Sequence, residues 1–364
     1  MKTSKLIRRP AIDLLRGFFI FVIIVDHLRR APAGYEVITG KGVLWASAAE
    51  GFFIISGMMV GLVRGRDWVH YGARYATSKL WRRAGKLYVL AVALTLGFTA
   101  LAKHLGFGSN IKGGANLNDD WPSLILNAIT GQYVYGWTDF LIYYAAFLFV
   151  SPLILWALHK RLWQLVLVAS ASVWLLRGDH FGLAWQLLFV IGIIAGYHLP
   201  RLEAKWRSLA PRLKRNAWMF LGSFMAITVA LGVFFIHFHG AEQWYRDNLE
   251  SYFVRQTMEP ARIIVALLWF SLLYGLFSKY QAAISRLAGG FLTVLGRNSL
   301  LAYTLQGIVI FLLDILLGAW VSDNIAVNFA IVTAVLWLIW WLVIFLSQSP
   351  NRHSSLPAGR VKLK

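Results

Sequence analysis

Long, continuous apolar runs constrain this chain more than any other feature. Ten of them fit at residues 11–29, 47–63, 84–102, 138–158, 162–177, 183–199, 217–237, 260–278, 298–319 and 325–347. Each is near the roughly 17–25 residues that a helix needs to cross a bilayer. A transmembrane β-barrel would instead alternate apolar and polar residues along short strands. Only 14% of residues are charged, against about 25% in soluble domains. Seventeen Trp and fourteen Tyr suit the aromatic belts of a membrane interface. The expected fold is all-α: a polytopic transmembrane bundle of about ten helices.

The net charge of +20 raises the question of a nucleic-acid partner, and the distribution of that charge answers it. With a cytoplasmic N-terminus, segments on the inside hold 26 Lys and Arg and those on the outside hold 8. That asymmetry follows the positive-inside rule, so the charge is a topology signal and no nucleic acid is expected. Both termini are expected in the cytoplasm. The absence of Cys removes disulfides, thiolate nucleophiles and Cys-ligated metal. The basic start "MKTSKLIRRPAIDLLRG" resembles a signal peptide. The run that follows it lacks a small-residue cleavage site and carries Asp13 and Arg16, so a retained first span is expected.

One membrane domain is expected over residues 1–348, with no internal repeat, followed by a polar, basic and disordered cytoplasmic tail at 349–364. The stretch 122–136 is too short and polar to span and is expected to be interfacial or re-entrant. Localisation in a bacterial inner membrane, in contact with lipid, fits this pattern.

Ionisable residues inside spans are costly and mark functional positions by default. Arg16 and His27 stand eleven positions apart in the first span, three turns plus about 20°, so they share one face about 16 Å apart along the axis. Asp13, one turn before Arg16, could pair with it. His27 closes the first span and Glu50 opens the second, so antiparallel packing would bring them together. A carboxylate that orients an imidazole makes a good general base. Asp26 points about 100° away and is the weaker partner. Ser56 and Gly57 sit mid-helix, where close packing by small residues outweighs a nucleophilic serine. His237 and His239 are spaced i, i+2 with no third ligand, so no metal site is expected.

The Arg16–His27 spacing resembles the Arg/His motif of the integral-membrane acyltransferase-3 superfamily. "EGFFIISG" is similar to its second-span motif, with Glu50 at the acidic position. The closer resemblance is to the OpgC-type branch, which adds succinyl groups to osmoregulated periplasmic glucans. It is carried by "AAEGFFIISGMMVGLVRGR", "FLIYYAAFLFVSPLILWAL", "FGLAWQLLFVIGIIAG" and "LGRNSLLAYTLQ". The resemblance implies an O-acyltransferase with acyl-CoA, succinyl-CoA or acetyl-CoA, as cytoplasmic co-substrate, no bound cofactor, and a glucan or other polysaccharide acceptor outside. His27 would then be the general base and Glu50 its orienting acid. Arg16 and Asp13 would face the donor's arm, with Ser56 beside the same path. Trp185 and Gln186 would lie against a sugar or the acyl path. Arg262 would bind an anionic acyl carboxylate or pair with Glu259. Where many superfamily members carry a late Tyr-x-x-His, this chain has Tyr303 and Gln306, so Gln306 would hydrogen-bond an acyl oxygen or serve packing. The basic loop around residues 64–86 could grip CoA phosphates.

Two other functions use the same charges. A proton-coupled transporter or glycan flippase would run a relay through His27, Glu50, Asp13 and Arg16. It would be expected to show inverted repeats and broken midplane helices, and neither is evident. A structural subunit of an envelope complex would use the charges only to pair helices.

Overall fold

The computed structural model describes residues 9–40, 45–106, 114–317 and 322–348, with the side chains of Ala115, His237 and His239 set aside. The polar tail 349–364 and the first eight residues lie outside the described residues, as does the side-chain question of His237 and His239.

The described residues are predominantly helical. In chain order the helices are α1 (Pro10–Leu28), α2 (Glu36–Thr39), α3 (Ala48–Met59), α4 (Gly65–Tyr71), α5 (Ala73–Leu105) and α6 (Trp121–Thr130). Then follow α7 (Asp139–His159), α8 (Trp163–Leu175), α9 (Phe181–Ser208), α10 (Pro211–His237), α11 (His239–Asn248) and α12 (Pro260–Lys279). The last three are α13 (Gln281–Arg297), α14 (Ser299–Leu317) and α15 (Ile325–Ser347). A π-helical turn at Val60–Arg64 joins α3 to α4, so Ala48–Tyr71 is one rod.

Among the described residues, eight helices are long and apolar enough to cross a membrane. The two other expected spans differ in kind. α1 is long enough but holds Asp13, Arg16 and Asp26. α8 has 13 residues, short of the roughly 17 that a perpendicular crossing needs. The stretch expected to be interfacial forms the 10-residue α6, capped by the Asp120 carboxylate, which accepts from Ser123 N–H at 3.2 Å. The basic loop expected at 64–86 is largely helical, because α5 begins at Ala73. The segment 281–297, expected as a cytoplasmic loop, is the helix α13.

Glycine spacing explains the tightest contacts. α3 and its π turn present Gly57 and Gly61 to α9, and α9 presents Gly192 and Gly196 in return. A Cβ at Gly57 would land on the Phe189 carbonyl, and one at Gly192 on the Ile54 carbonyl. Small residues four apart let helix backbones approach in this way. α1 and α13 meet by the same device: a Cβ at Gly17 would strike the Leu292 carbonyl, and one at Gly296 the Asp13 carbonyl.

α1 packs against α3, α12, α13, α14 and α15, and Leu14, Leu15, Ile20 and Ile24 are fully buried. Its charges therefore face protein rather than lipid, which is where intramembrane ionisable groups are tolerated. α10 is the opposite case, with 17% of its apolar window buried, and has the character of a lipid-facing helix.

Candidate active site

His27 lies in the last turn of α1. Its ring stacks on Trp137, with centroids 4.0 Å apart and planes at 10°. Trp137 belongs to the loop before α7, and its carbonyl accepts from the Tyr303 hydroxyl at 2.8 Å. The next residue, Thr138, is tied to Thr95 on α5 at 2.8 Å. Tyr135 in the same loop is buried against Phe98 and Phe311. Burial first, then neighbouring Tyr133 and Asp314, push its phenol up to about 12. The loop is thus pinned on both sides of Trp137, and the tryptophan holds the imidazole plane.

The other constraint on His27 is Gln306 of α14, which is completely buried. Its amide oxygen and nitrogen lie 3.3 and 3.1 Å from His27 Nδ1. With the carbonyl facing Nδ1, that nitrogen carries the proton and Nε2 is the basic lone pair. With the amide NH2 facing Nδ1, the tautomer is reversed. Among the described residues Nε2 makes no hydrogen bond. Arg255, Asp139 and Arg29 act on the ring electrostatically, and the Arg29 guanidinium lies over Trp137 at 5.0 Å.

Arg16 occupies the other end of the same face. Its guanidinium donates to the Ser299 hydroxyl, while its Nε is buried without a partner among the described residues. Ser299, Tyr303 and Gln306 recur at i, i+4 and i+7, one face of α14. That face meets the Arg16–His27 face of α1. The result is a polar seam with Arg16 and Ser299 at one end, His27 and Gln306 at the other, and Tyr303 between. At the Arg16 end the seam opens into a cleft of about 10 Å³ bordered by Arg16, Ser56, Arg83, Tyr144, Ser299 and Tyr303. That is room for about one water.

Several of the expected contacts are replaced by others in this arrangement. Glu50 does not hold His27. Its fully buried carboxylate takes Arg262 Nε at 2.6 Å on Oε1, and Ser47 N–H at 2.9 Å together with the Ser47 hydroxyl on Oε2. Ser47-Ala-Ala-Glu50 is a capping box, so local helix chemistry turns the acid back toward the N-terminus of α3. Arg262 is thereby occupied, and it also donates to the Phe253 carbonyl at 3.0 Å. Glu259 pairs instead with Arg177 at 2.8 Å. Asp13 lies 3.8 Å from Arg297 and acts on Arg16 through space, whereas the direct partner of Arg16 is Ser299.

Trp185 is neither interfacial nor on the cleft. It is fully buried between Phe181 and Phe53, and its indole donates to the Arg255 carbonyl at 3.1 Å. Gln186 exchanges two 2.7 Å hydrogen bonds with Ser170, a clasp between α8 and α9 that leaves its amide satisfied. Ser56 does border the cleft, buried beside the glycine contact with α9. Trp137, Arg83, Tyr144, Ser299 and Arg255 join the site without having been singled out. Arg83 had a signal as one of the basic residues of the 64–86 stretch, and Tyr144 and Ser299 lie within the stretches that carry the resemblance.

A bundle of apolar helices enclosing a histidine–amide pair and a half-buried guanidinium on one seam defines a multi-pass membrane protein with an internal polar site. The chain belongs to the OpgC family: the family's sequence model, described as OpgC protein, matches residues 8–351. No curated protein and no solved structure matches it. Membership suggests a membrane acyltransferase acting on glucans.

Proposed function

We propose that this chain is an O-acyltransferase of the bacterial inner membrane, with both termini cytoplasmic. It moves an acyl group, succinyl in preference to acetyl, from cytoplasmic acyl-CoA to a hydroxyl of an extracytoplasmic glucan. The observation that carries this reading is the seam itself. It joins a guanidinium facing the basic, inside-assigned end to a positioned imidazole at the other end, about 16 Å away along α1.

In this mechanism Gln306 accepts from His27 Nδ1–H and leaves Nε2 basic. Nε2 removes the proton of a sugar hydroxyl as its oxygen attacks the thioester carbonyl. The C–S bond breaks, and the imidazolium returns the proton to the departing CoA thiolate. Arg16 and Arg83 line the donor's approach and receive its polar arm. The cleft holds about one water as it stands, so Tyr144 and Tyr303 must swing aside for the arm to enter.

The preference for succinyl rests on charge. Arg262 is taken by Glu50 and Arg30 lies 3.9 Å from Asp314. Arg29 and Arg255 make no salt bridge among the described residues, Arg29 reaching Asp314 only through space, yet both act on His27. A carboxylate on the acyl tail would complete that pair of cations. Mass spectrometry of envelope glucans from cells with and without this chain tests the proposal. Loss of a succinyl-sized mass on glucan supports it. Unchanged glucan with failed solute export would favour the transporter.

A further inference from the structure

A second cavity is remote from this seam and unused by the chemistry above. It measures about 250 Å³ and lies where the α7–α8 turn meets α9, bordered by His159, Arg161, Trp163, Tyr197, His198 and Arg201. α7 starts two residues after Trp137 and runs 21 residues, so its far end is about 30 Å away along the axis.

The lining is one-sided. Two arginines and two histidines face it and no acid does. Neither Arg161 nor Arg201 makes an ion pair among the described residues, and both are exposed, so both guanidinium groups are open to an anion. His198 Nε2 is buried with no partner, a polar atom left wanting one. Arg161 is held at φ 65, a left-handed conformation uncommon outside Gly, Asn and Asp. Beside the opening, Leu162, Trp163 and Leu165 are 39%, 40% and 60% exposed, an apolar apron of the kind that meets lipid chains. Basic pockets between helices on the cytoplasmic side suit anionic lipid headgroups.

We infer that the cavity between the α7–α8 turn and α9 is a phosphate-binding site, filled by the headgroup of an anionic glycerophospholipid whose chains lie along α7 and α8. Arg161 and Arg201 clasp the phosphate, His198 Nε2 hydrogen-bonds it, and Trp163 and Tyr197 flank the glycerol. A nucleotide phosphate offers the same chemistry, and the test separates the two sources.

The full chain, purified in detergent, is titrated with phosphatidylglycerol, phosphatidylcholine or adenosine bisphosphate and examined by native mass spectrometry. Phosphatidylglycerol should stay bound where phosphatidylcholine does not. The R161Q/R201Q variant should weaken it roughly tenfold or more, with R201Q alone intermediate, while R212Q leaves it unchanged. Retained adenosine bisphosphate, lost in the same variants, would keep the phosphate site and assign it to a nucleotide. Equal retention of phosphatidylglycerol by the wild type and by both R161Q/R201Q and R201Q would overturn the inference.

Discussion

Nδ1 of His27 and the Gln306 amide are 3.1 Å apart, and that contact ties the last turn of α1 to the middle of α14, 279 residues later. A general base contributes about 10²- to 10⁴-fold to rate, and its effectiveness depends on which ring nitrogen is free. Gln306→Leu should therefore slow glucan acylation roughly 10- to 100-fold, whereas Gln306→Glu, which still accepts from Nδ1–H, should retain more. Initial rates in membrane preparations distinguish the two. A wild-type rate for Gln306→Leu would show that the amide does not orient the base.

Glu50 is expected to be a structural residue. Removing one member of a buried ion pair costs about 3–5 kcal/mol because the other charge is left uncompensated. Glu50→Gln should lower the thermal midpoint in detergent, and E50L/R262L should recover much of the loss. If Glu50→Gln instead abolishes acylation at an unchanged midpoint, the carboxylate acts in the chemistry after all.

Gly57→Leu should prevent α3 and α9 from seating. Its Cβ meets the Phe189 carbonyl, a backbone atom that cannot swing away, so the penalty lies at or above the roughly 1–3 kcal/mol of overpacking. Gly222→Leu on α10 adds its Cβ to open space and should be tolerated. Size-exclusion profiles of the two variants in detergent give the comparison, and equal monodispersity would contradict the packing argument.

Arg255 has no acidic partner among the described residues and lies over Trp185 at 5.6 Å. With succinyl-CoA and butyryl-CoA offered together, Arg255→Gln should lower the succinyl-to-butyryl transfer ratio roughly tenfold, about one lost charge-assisted contact. An unchanged ratio would remove Arg255 from acyl recognition.

Much of this architecture was legible in the amino-acid order, because hydropathy and length are local properties. The shared face of Arg16 and His27 follows from helical periodicity, and α1 keeps it. The pairing of α1 with α14 was not legible, since nothing local to either helix names the other. Glu50 is a different case. Ser47-Ala-Ala-Glu50 states its capping role within four residues, yet proximity of span ends pointed to His27 instead. Gly57/Gly61 and Gly192/Gly196 advertise close packing, but only the fold shows that they face each other. α13 escaped notice because Arg286, Gly289, Gly290 and Arg297 give it the composition of a loop. Its burial against α1 through Gly17 and Gly296 is tertiary.

The central claim is that the imidazole of His27 performs the transfer. The most direct test uses purified protein in proteoliposomes, with acyl-CoA on one face and glucan on the other, comparing wild type with His27→Gln at matched thermal midpoints. Transfer by the wild type is expected, with a rate lower by about 100-fold or more in the variant. Transfer by His27→Gln at the wild-type rate would contradict it.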